Sequence, residues 1–252
     1  MRQLTMVIPT YNEVENLPKL VEALFGLALP DLKLLVVDDN SPDGTGQLAD
    51  QLALEHPGRV SVLHRAGKLG LGTAYVQGFR KALQEGAQAV GQMDADFSHP
   101  VEKIPELLEI LKTHDVALGS RYVPGGSLDE QWPLWRKWLS AFGNLYARSI
   151  LHLPARDVTG GFRLWRQEAI LAMPIDRVRS NGYAFQVEML HIAHRLGLTF
   201  QEIPIYFADR RWGQSKMSLR IQREAAVRVW QVLWEYRDLS PAFLDIPPNT
   251  VW

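Results

Sequence analysis

Two carboxylates stand one residue apart in Asp94-Ala95-Asp96, directly after the apolar run Ala87-Gln88-Ala89-Val90-Gly91-Gln92-Met93. The run reads as a buried strand, so the pair lies at the C-terminal edge of a sheet. Paired carboxylates there form a hard oxygen site, suited to Mg²⁺ or Mn²⁺ bridged to the phosphates of a nucleotide. Acidic residues also end strands as turn formers, so the pair alone decides little. Two further strands add weight. Met6-Val7-Ile8 runs into Pro9-Thr10-Tyr11-Asn12-Glu13, and Leu34-Leu35-Val36-Val37 runs into Asp38-Asp39-Asn40-Ser41-Pro42-Asp43-Gly44-Thr45. In an open α/β sheet the ligand crevice lies beyond the carboxyl ends of the strands. The three acidic strand ends therefore point to one place.

Cations with phosphate chemistry accompany them. Arg121, in Gly119-Ser120-Arg121, follows a fifth strand, and Arg210, Arg211 and Lys216 share the loop from Ala208 to Lys216. Arginine suits bidentate contact with phosphate oxygens; a solvated basic surface is the alternative for any one of them. Lys68-Leu69-Gly70-Leu71-Gly72-Thr73 is a glycine-containing loop ahead of a helix. Its N–H groups suit phosphate, and its glycines equally suit close packing. It is not Gly-x-Gly-x-x-Gly, which argues against a dinucleotide fold.

The elements that must position these residues follow from periodicity. Strands are predicted at Leu4–Pro9, Lys33–Asp38, Arg59–His64, Ala89–Asp94 and Asp115–Gly119, with helices between them at Val14–Phe25, Gly46–His56, Gly72–Gly86 and Ile104–Thr113. Alternation of this kind gives βαβ units, hence an α/β fold with a mostly parallel central sheet and helices on both faces. Beyond these, the sequence predicts a loop at Val123–Ser127, a short strand at Gly161–Trp165, a helix at Ala184–Arg195, a strand at Leu198–Phe207 and a last helix at Leu219–Tyr236. Residues 1–238 read as a single domain and 239–252 as an irregular tail. At 252 residues with 46% hydrophobic content the chain is long and apolar enough for one large core. A net charge of −1 argues against non-specific nucleic-acid binding, and with no cysteine there is no thiolate site or disulfide. No uncharged run approaches the ~18 residues that span a bilayer, which reads as a cytoplasmic protein.

Seven stretches occur in one order: Ile8–Glu13, Asp38–Thr45, Lys68–Ala74, Met93–Asp96, Gly119–Tyr122, Thr159–Arg163 and Gly213–Lys216. On these the chain resembles the family 2 inverting glycosyltransferases of the GT-A fold, in their polyprenol-phosphate mannosyltransferase branch. The resemblance implies a nucleotide-sugar donor and a polyprenyl phosphate acceptor, with mannose from GDP-mannose as the leading pair. It implies that Pro9, Tyr11 and Glu13 wrap the nucleoside, with Tyr11 near the base and Glu13 near the ribose, and that Val37 and Asp39 form a second nucleoside contact. Glu13 also fits a helix start, and Asp39 also fits a turn. Asp94 and Asp96 would hold the divalent ion and the diphosphate, with Ala95 packing inward or touching the ribose. Relatives often carry a glutamine ligand where this chain has Ser98. Gly213-Gln214-Ser215-Lys216 matches a mobile acceptor loop, so Arg121, Arg210 and Lys216 are expected at the phosphates.

An anionic lipid phosphate needs no protein base. A sugar hydroxyl acceptor needs one, for which Asp157 and Glu188 are candidates, Glu188 being equally a helix residue paired with a cation. Rival readings are a UDP-glucose donor, transfer to a hydroxyl, a nucleotidyltransferase, for which the glycine-rich signature after the first strand is missing, and a non-catalytic nucleotide-sugar sensor. A lipid acceptor requires peripheral membrane contact. Trp135, Trp138, Leu139, Phe142 and Tyr146 share one helical face beside Arg136, Lys137 and Arg148, and the last helix carries Val229, Trp230, Leu233 and Trp234. Interfacial helices combine aromatics and cations in this way; packing in the core is the alternative.

Overall fold

The computed structural model describes residues 3–209 and 219–241, with side chains from residue 224 in the last helix. Strands and helices alternate as β1 (Leu4–Thr10), α1 (Leu17–Phe25), β2 (Lys33–Asp38), α2 (Thr45–Glu55), β3 (Val60–His64), α3 (Leu71–Gln84), β4 (Ala89–Gln92), α4 (Ile104–Ile110) and β5 (Val116–Ser120). There follow β6 (Ser127–Leu128), α5 (Leu134–Leu151), β7 (Arg163–Arg166), α6 (Gln167–Ala172), α7 (Tyr183–Arg195), β8 (Phe200–Pro204), β9 (Tyr206–Phe207) and α8 (Leu219–Glu235). Seven strands form one sheet in the order β3-β2-β1-β4-β7-β5-β8. Only β7 runs antiparallel to its neighbours; the other pairs are parallel. β6 and β9 make a separate two-stranded pair.

The continuous apolar strands have two buried faces, and side-chain alternation divides them between two cores. Leu4, Met6 and Ile8 of β1 pack with Leu17, Leu20, Val21 and Leu24 of α1. Val7 faces the other way, toward Tyr75 and Phe79 of α3. In β2, Leu34 and Val36 join the first cluster and Leu35 and Val37 the second. Each such side chain contributes about 1.5–3 kcal/mol by leaving water.

Three departures from the predicted elements matter. The strand predicted to reach Asp94 stops at Gln92, and the chain turns at Ala95 and Asp96. The strand predicted over Leu198–Phe207 is two strands, since β9 leaves the main sheet to pair with β6. The short helix α6 was not foreseen. The topology also locates a crevice. From β1 the chain passes to β2 on one side, while β4 pairs with β1 on the other. Ligands bind beyond the strand ends at such a switch point.

Candidate active site

The two aspartates lie in the loop after β4, so strand alternation does not orient them. Asp96 Oδ1 accepts from the Ser98 N–H at 3.1 Å and from the Ser98 hydroxyl at 2.6 Å. This turn carries Phe97 at φ 61°, an unusual conformation for a bulky residue. Asp94 donates its N–H to Nδ1 of His99 at 3.2 Å, closing the loop on itself. Ser98 is 1% exposed, and it anchors Asp96 through both its N–H and its hydroxyl. Ala95 packs inward. Burial, then the charges of Asp94 and Asp96, push the Tyr75 hydroxyl well above its ordinary range; it stays neutral and donates to the Met93 carbonyl at 3.2 Å. Burial holds His99 below its ordinary value against the pull of Asp94 and Asp96. Among the described residues no third His, Asp or Glu joins the pair as a metal cluster. Two hard carboxylates in a pinned turn fit a divalent cation whose other ligands are water and donor oxygens.

The loop after β2 clamps the loop after β1. The N–H groups of Asn12, Glu13 and Val14 donate in turn to Ser41 Oγ at 3.1 Å, Thr45 Oγ1 at 2.9 Å and Asp43 Oδ2 at 3.2 Å. Asp43 Oδ1 also accepts from the N–H and the hydroxyl of Thr45, and Gly44 takes φ 91° to start α2. The run from Ser41 to Thr45 is therefore a brace that holds Tyr11 and Glu13 at the crevice. The Lys68 ammonium lies 4.1 Å from the centre of the Tyr11 ring. Glu13 accepts from the Asn16 amide at 2.7 Å, consistent with a residue that also opens α1. Val37 is fully buried, its side chain packed in the core cluster that also holds Tyr75 and Phe79.

Asp39 is buried and bonded to Arg65 Nη1, while Arg65 Nη2 donates to Thr73 Oγ1. Burial raises the Asp39 carboxyl above its ordinary value, and Arg65 only partly offsets this. The glycine loop serves close packing. A Cβ at Gly70 (φ +102°) would collide with Asn181 Oδ1, and one at Gly72 with the Ser180 carbonyl. Ser180 is itself tied to Glu188, which accepts its N–H at 2.7 Å, the Arg228 guanidinium at 2.8 Å and the Tyr236 hydroxyl at 2.7 Å. Glu188 is 0% exposed, so it fastens α7 to α8 and is no candidate base.

Arg121 sits beyond β5, where Asp157 grips it with both oxygens at 2.7 Å. Asp157 also accepts the N–H groups of Arg121 and Gly160, and Thr159 Oγ1 accepts from Arg121 at 2.8 Å. Burial pushes the Asp157 carboxyl up, but Arg121 and these donors outweigh it and hold it below the ordinary value. Asp157, a candidate base only for a hydroxyl acceptor, is thus an ion-pair partner, and the charge of Arg121 is matched. Arg163 escaped notice in the sequence as a site-builder. It is 1% exposed and donates to the carbonyls of Gly160, Gln186 and Val158 at 2.9, 2.7 and 2.9 Å. Burial lowers its pKa to about 10. Its place at the end of Thr159-Gly160-Gly161-Phe162-Arg163 was the available signal.

Arg210, Arg211 and Lys216 lie outside the described residues. The chain is held up to their edge: Ala208 donates to the Ser98 carbonyl at 3.2 Å and Asp209 to Asp129 Oδ2 at 2.8 Å. A cleft of about 380 Å³ lies elsewhere, lined by Gln3, Lys33, Arg59 and Gln88 at the opposite strand ends, and none of the candidate site residues lines it.

The model of glycosyl transferase family 2 matches residues 5–172. The chain belongs to that family. This glycosyltransferase is 48% identical over 229 residues to the undecaprenyl-phosphate mannosyltransferase of Micrococcus luteus, covering 91% of this chain and 93% of that one. It is 45% identical over 225 residues to the polyprenol monophosphomannose synthase of Mycolicibacterium smegmatis, covering 89% and 84%. A glucosyl-3-phosphoglycerate synthase from Mycobacterium tuberculosis, solved with Mn²⁺, UDP-glucose and phosphoglyceric acid, shares the fold with TM-score 0.66 at 17% identity, covering 92% and 80%.

The glycosyltransferase also presents an exposed apolar face. Leu134, Trp135, Trp138, Phe142 and Leu145 of α5 are exposed, as are Val227, Trp230 and Trp234 of α8. The helices are joined where Trp230 Nε1 donates to the Tyr146 hydroxyl at 3.0 Å and that hydroxyl donates to the Ala226 carbonyl at 3.2 Å. Trp132 is buried before α5 begins, under the Arg136 guanidinium. Arg136 also pairs with Asp209, and Arg228 with Glu188 and Glu235. No helix among the described residues is long and apolar enough to cross a membrane.

Proposed function

We propose that this glycosyltransferase transfers mannose from GDP-mannose to a polyprenyl phosphate, with inversion at the anomeric carbon. One observation carries the reading. The two carboxylates that a hydroxyl acceptor would recruit as base, Asp157 and Glu188, are both locked in buried ion pairs. A phosphate oxygen is already anionic near neutral pH and needs neither. The names of the two bacterial relatives support the lipid acceptor and the mannosyl group.

In this reading Pro9, Tyr11, Glu13 and Asp39 hold the nucleoside. Asp94 and Asp96 would hold a divalent cation, Mg²⁺ or Mn²⁺, which when bound supplies positive charge for the leaving diphosphate. The Mn²⁺ bound by the Mycobacterium tuberculosis synthase supports a divalent ion on this fold. The phosphate oxygen of the acceptor forms the new bond to the anomeric carbon as the bond to GDP breaks, and no proton has to move. Because Asp157 matches the charge of Arg121, Arg210 and Lys216 bring the surplus positive charge that holds the two anions together. The exposed face of α5 and α8 rests on the membrane that contains the acceptor, with Trp135, Trp138 and Trp230 at the acyl boundary.

The test is purified full chain with labelled GDP-mannose or UDP-glucose, undecaprenyl phosphate in vesicles, and Mn²⁺. Butanol-extractable label from GDP-mannose alone is expected, absent in Asp96→Ala and reduced in the Trp135→Ser/Trp138→Ser double variant, which should also co-sediment less with vesicles. Label from UDP-glucose, or transfer only to a soluble hydroxyl acceptor, overturns the assignment.

A further inference from the structure

The Asp94 N–H is in an awkward position. β4 ends at Gln92, so this N–H lies beyond the strand, in a part-buried loop where an N–H shut off from water needs an acceptor. The ring of His99 supplies the acceptor, Nδ1 at 3.2 Å. That ring is 3% exposed and is held from two sides. It stacks on Phe162 with centroids 5.3 Å apart and planes 15° apart, and Phe207 meets it edge-on at 5.3 Å and 70°. The adjacent Ser98 is fixed both by Asp96 and by the Ala208 N–H. The carboxylate-bearing turn is thus anchored at its two ends by neighbouring residues, Ser98 for Asp96 and His99 for Asp94.

We propose that His99 is a positioning residue for cation binding: its bare Nδ1 fixes the main chain of Asp94, and so the direction of the Asp94 carboxylate, without touching the ion. The proton of the ring is then on Nε2. The proposal rests on the reading of Asp94 and Asp96 as the cation ligands. It adds that their geometry is set by a ring packed against Phe207, three positions before Arg210 in the sequence.

Two variants of the full chain separate the acceptor from the ring. His99→Asn removes the ring but places an amide oxygen near the Nδ1 position; His99→Gln removes the ring and carries its oxygen one bond further. Mn²⁺ affinity is read by paramagnetic resonance titration, with GDP and with UDP, and folding by thermal melts. His99→Gln should bind Mn²⁺ about 10- to 100-fold more weakly than wild type, and His99→Asn should recover most of that loss. Equal affinities in the two variants overturn the proposal while leaving the cation reading intact. A wild type that binds no Mn²⁺ overturns both. Nitrogen NMR of the wild-type ring gives an independent check that does not depend on either variant folding: a proton on Nε2 supports the proposal, and a proton on Nδ1 overturns it.

Discussion

The crevice has two shoulders, each built on a buried arginine–aspartate pair, and the two pairs behave in opposite ways. On one side Arg65 meets Asp39, and the Asp39 carboxyl is raised because burial prevails. On the other, Arg121 meets Asp157, and the Asp157 carboxyl is lowered although burial is its largest single influence. The difference is the number of donors. Asp39 takes one guanidinium bond to Oδ1. Asp157 takes both arms of a guanidinium and the N–H groups of Arg121 and Gly160. A buried carboxylate with its lone pairs filled is part of the frame. One left under-filled retains capacity for a ligand's ribose or base N–H groups.

The largest test of that contrast is stability. Asp157→Asn turns an amide toward a cluster of donors and leaves Arg121 buried without its counter-charge. It should cost about 3–5 kcal/mol in urea unfolding. Asp39→Asn keeps the Oδ1 acceptor and removes a charge that burial already opposes, so its cost should be about 1 kcal/mol. Equal losses would erase the distinction between frame and site.

Donor binding should reverse the order. Asp39→Asn is expected to weaken GDP-mannose binding about tenfold, equivalent to about 1.4 kcal/mol. Asp157→Asn, measured on folded protein by calorimetry below its melting temperature, should bind the donor as wild type does.

Acid titration sharpens the same contrast through its sign. A lowered carboxyl stabilises the fold above its unfolded value of 3.8 and loses that contribution as pH falls through the lower folded value. A raised carboxyl costs stability when charged, and the cost is relieved as pH falls through the folded value toward 3.8. Asp39→Asn should therefore remove a gain in stability on the way down to 3.8, and Asp157→Asn should remove a loss below it. Chemical unfolding at stepped pH measures both.

A comparably small effect belongs to the outer contact of the tighter pair. Thr159→Val deletes one acceptor of Arg121 and should cost about 1 kcal/mol, with catalytic turnover unchanged. A large fall in turnover at unchanged stability would move Arg121 from the frame into the chemistry.

The linear chain was enough for the alternation of strands and helices, the acidic strand ends and the family stretches. Apolar runs such as Leu34–Val37 and turn residues such as Asp43-Gly44 act locally, over a few neighbours, and local preferences are written in sequence order. Even the brace from Ser41 to Thr45 was legible as a turn, though its target was not.

Only the tertiary structure decided which charges pair. Asp157 lies 36 positions from Arg121, and Glu188 lies 40 from Arg228; nothing in the spacing distinguishes a base from an ion-pair partner. The fold also put Val37 into the core, buried Trp132 and left Trp135 exposed, and brought Trp230 beside Tyr146 to join two aromatic stripes into one face. Asp94 and Asp96 announced themselves, but His99 gained its role only when the chain turned out of β4 and left an N–H in need of an acceptor. Residue types tell which interactions a chain can make, and burial and long-range contact determine which of them it makes.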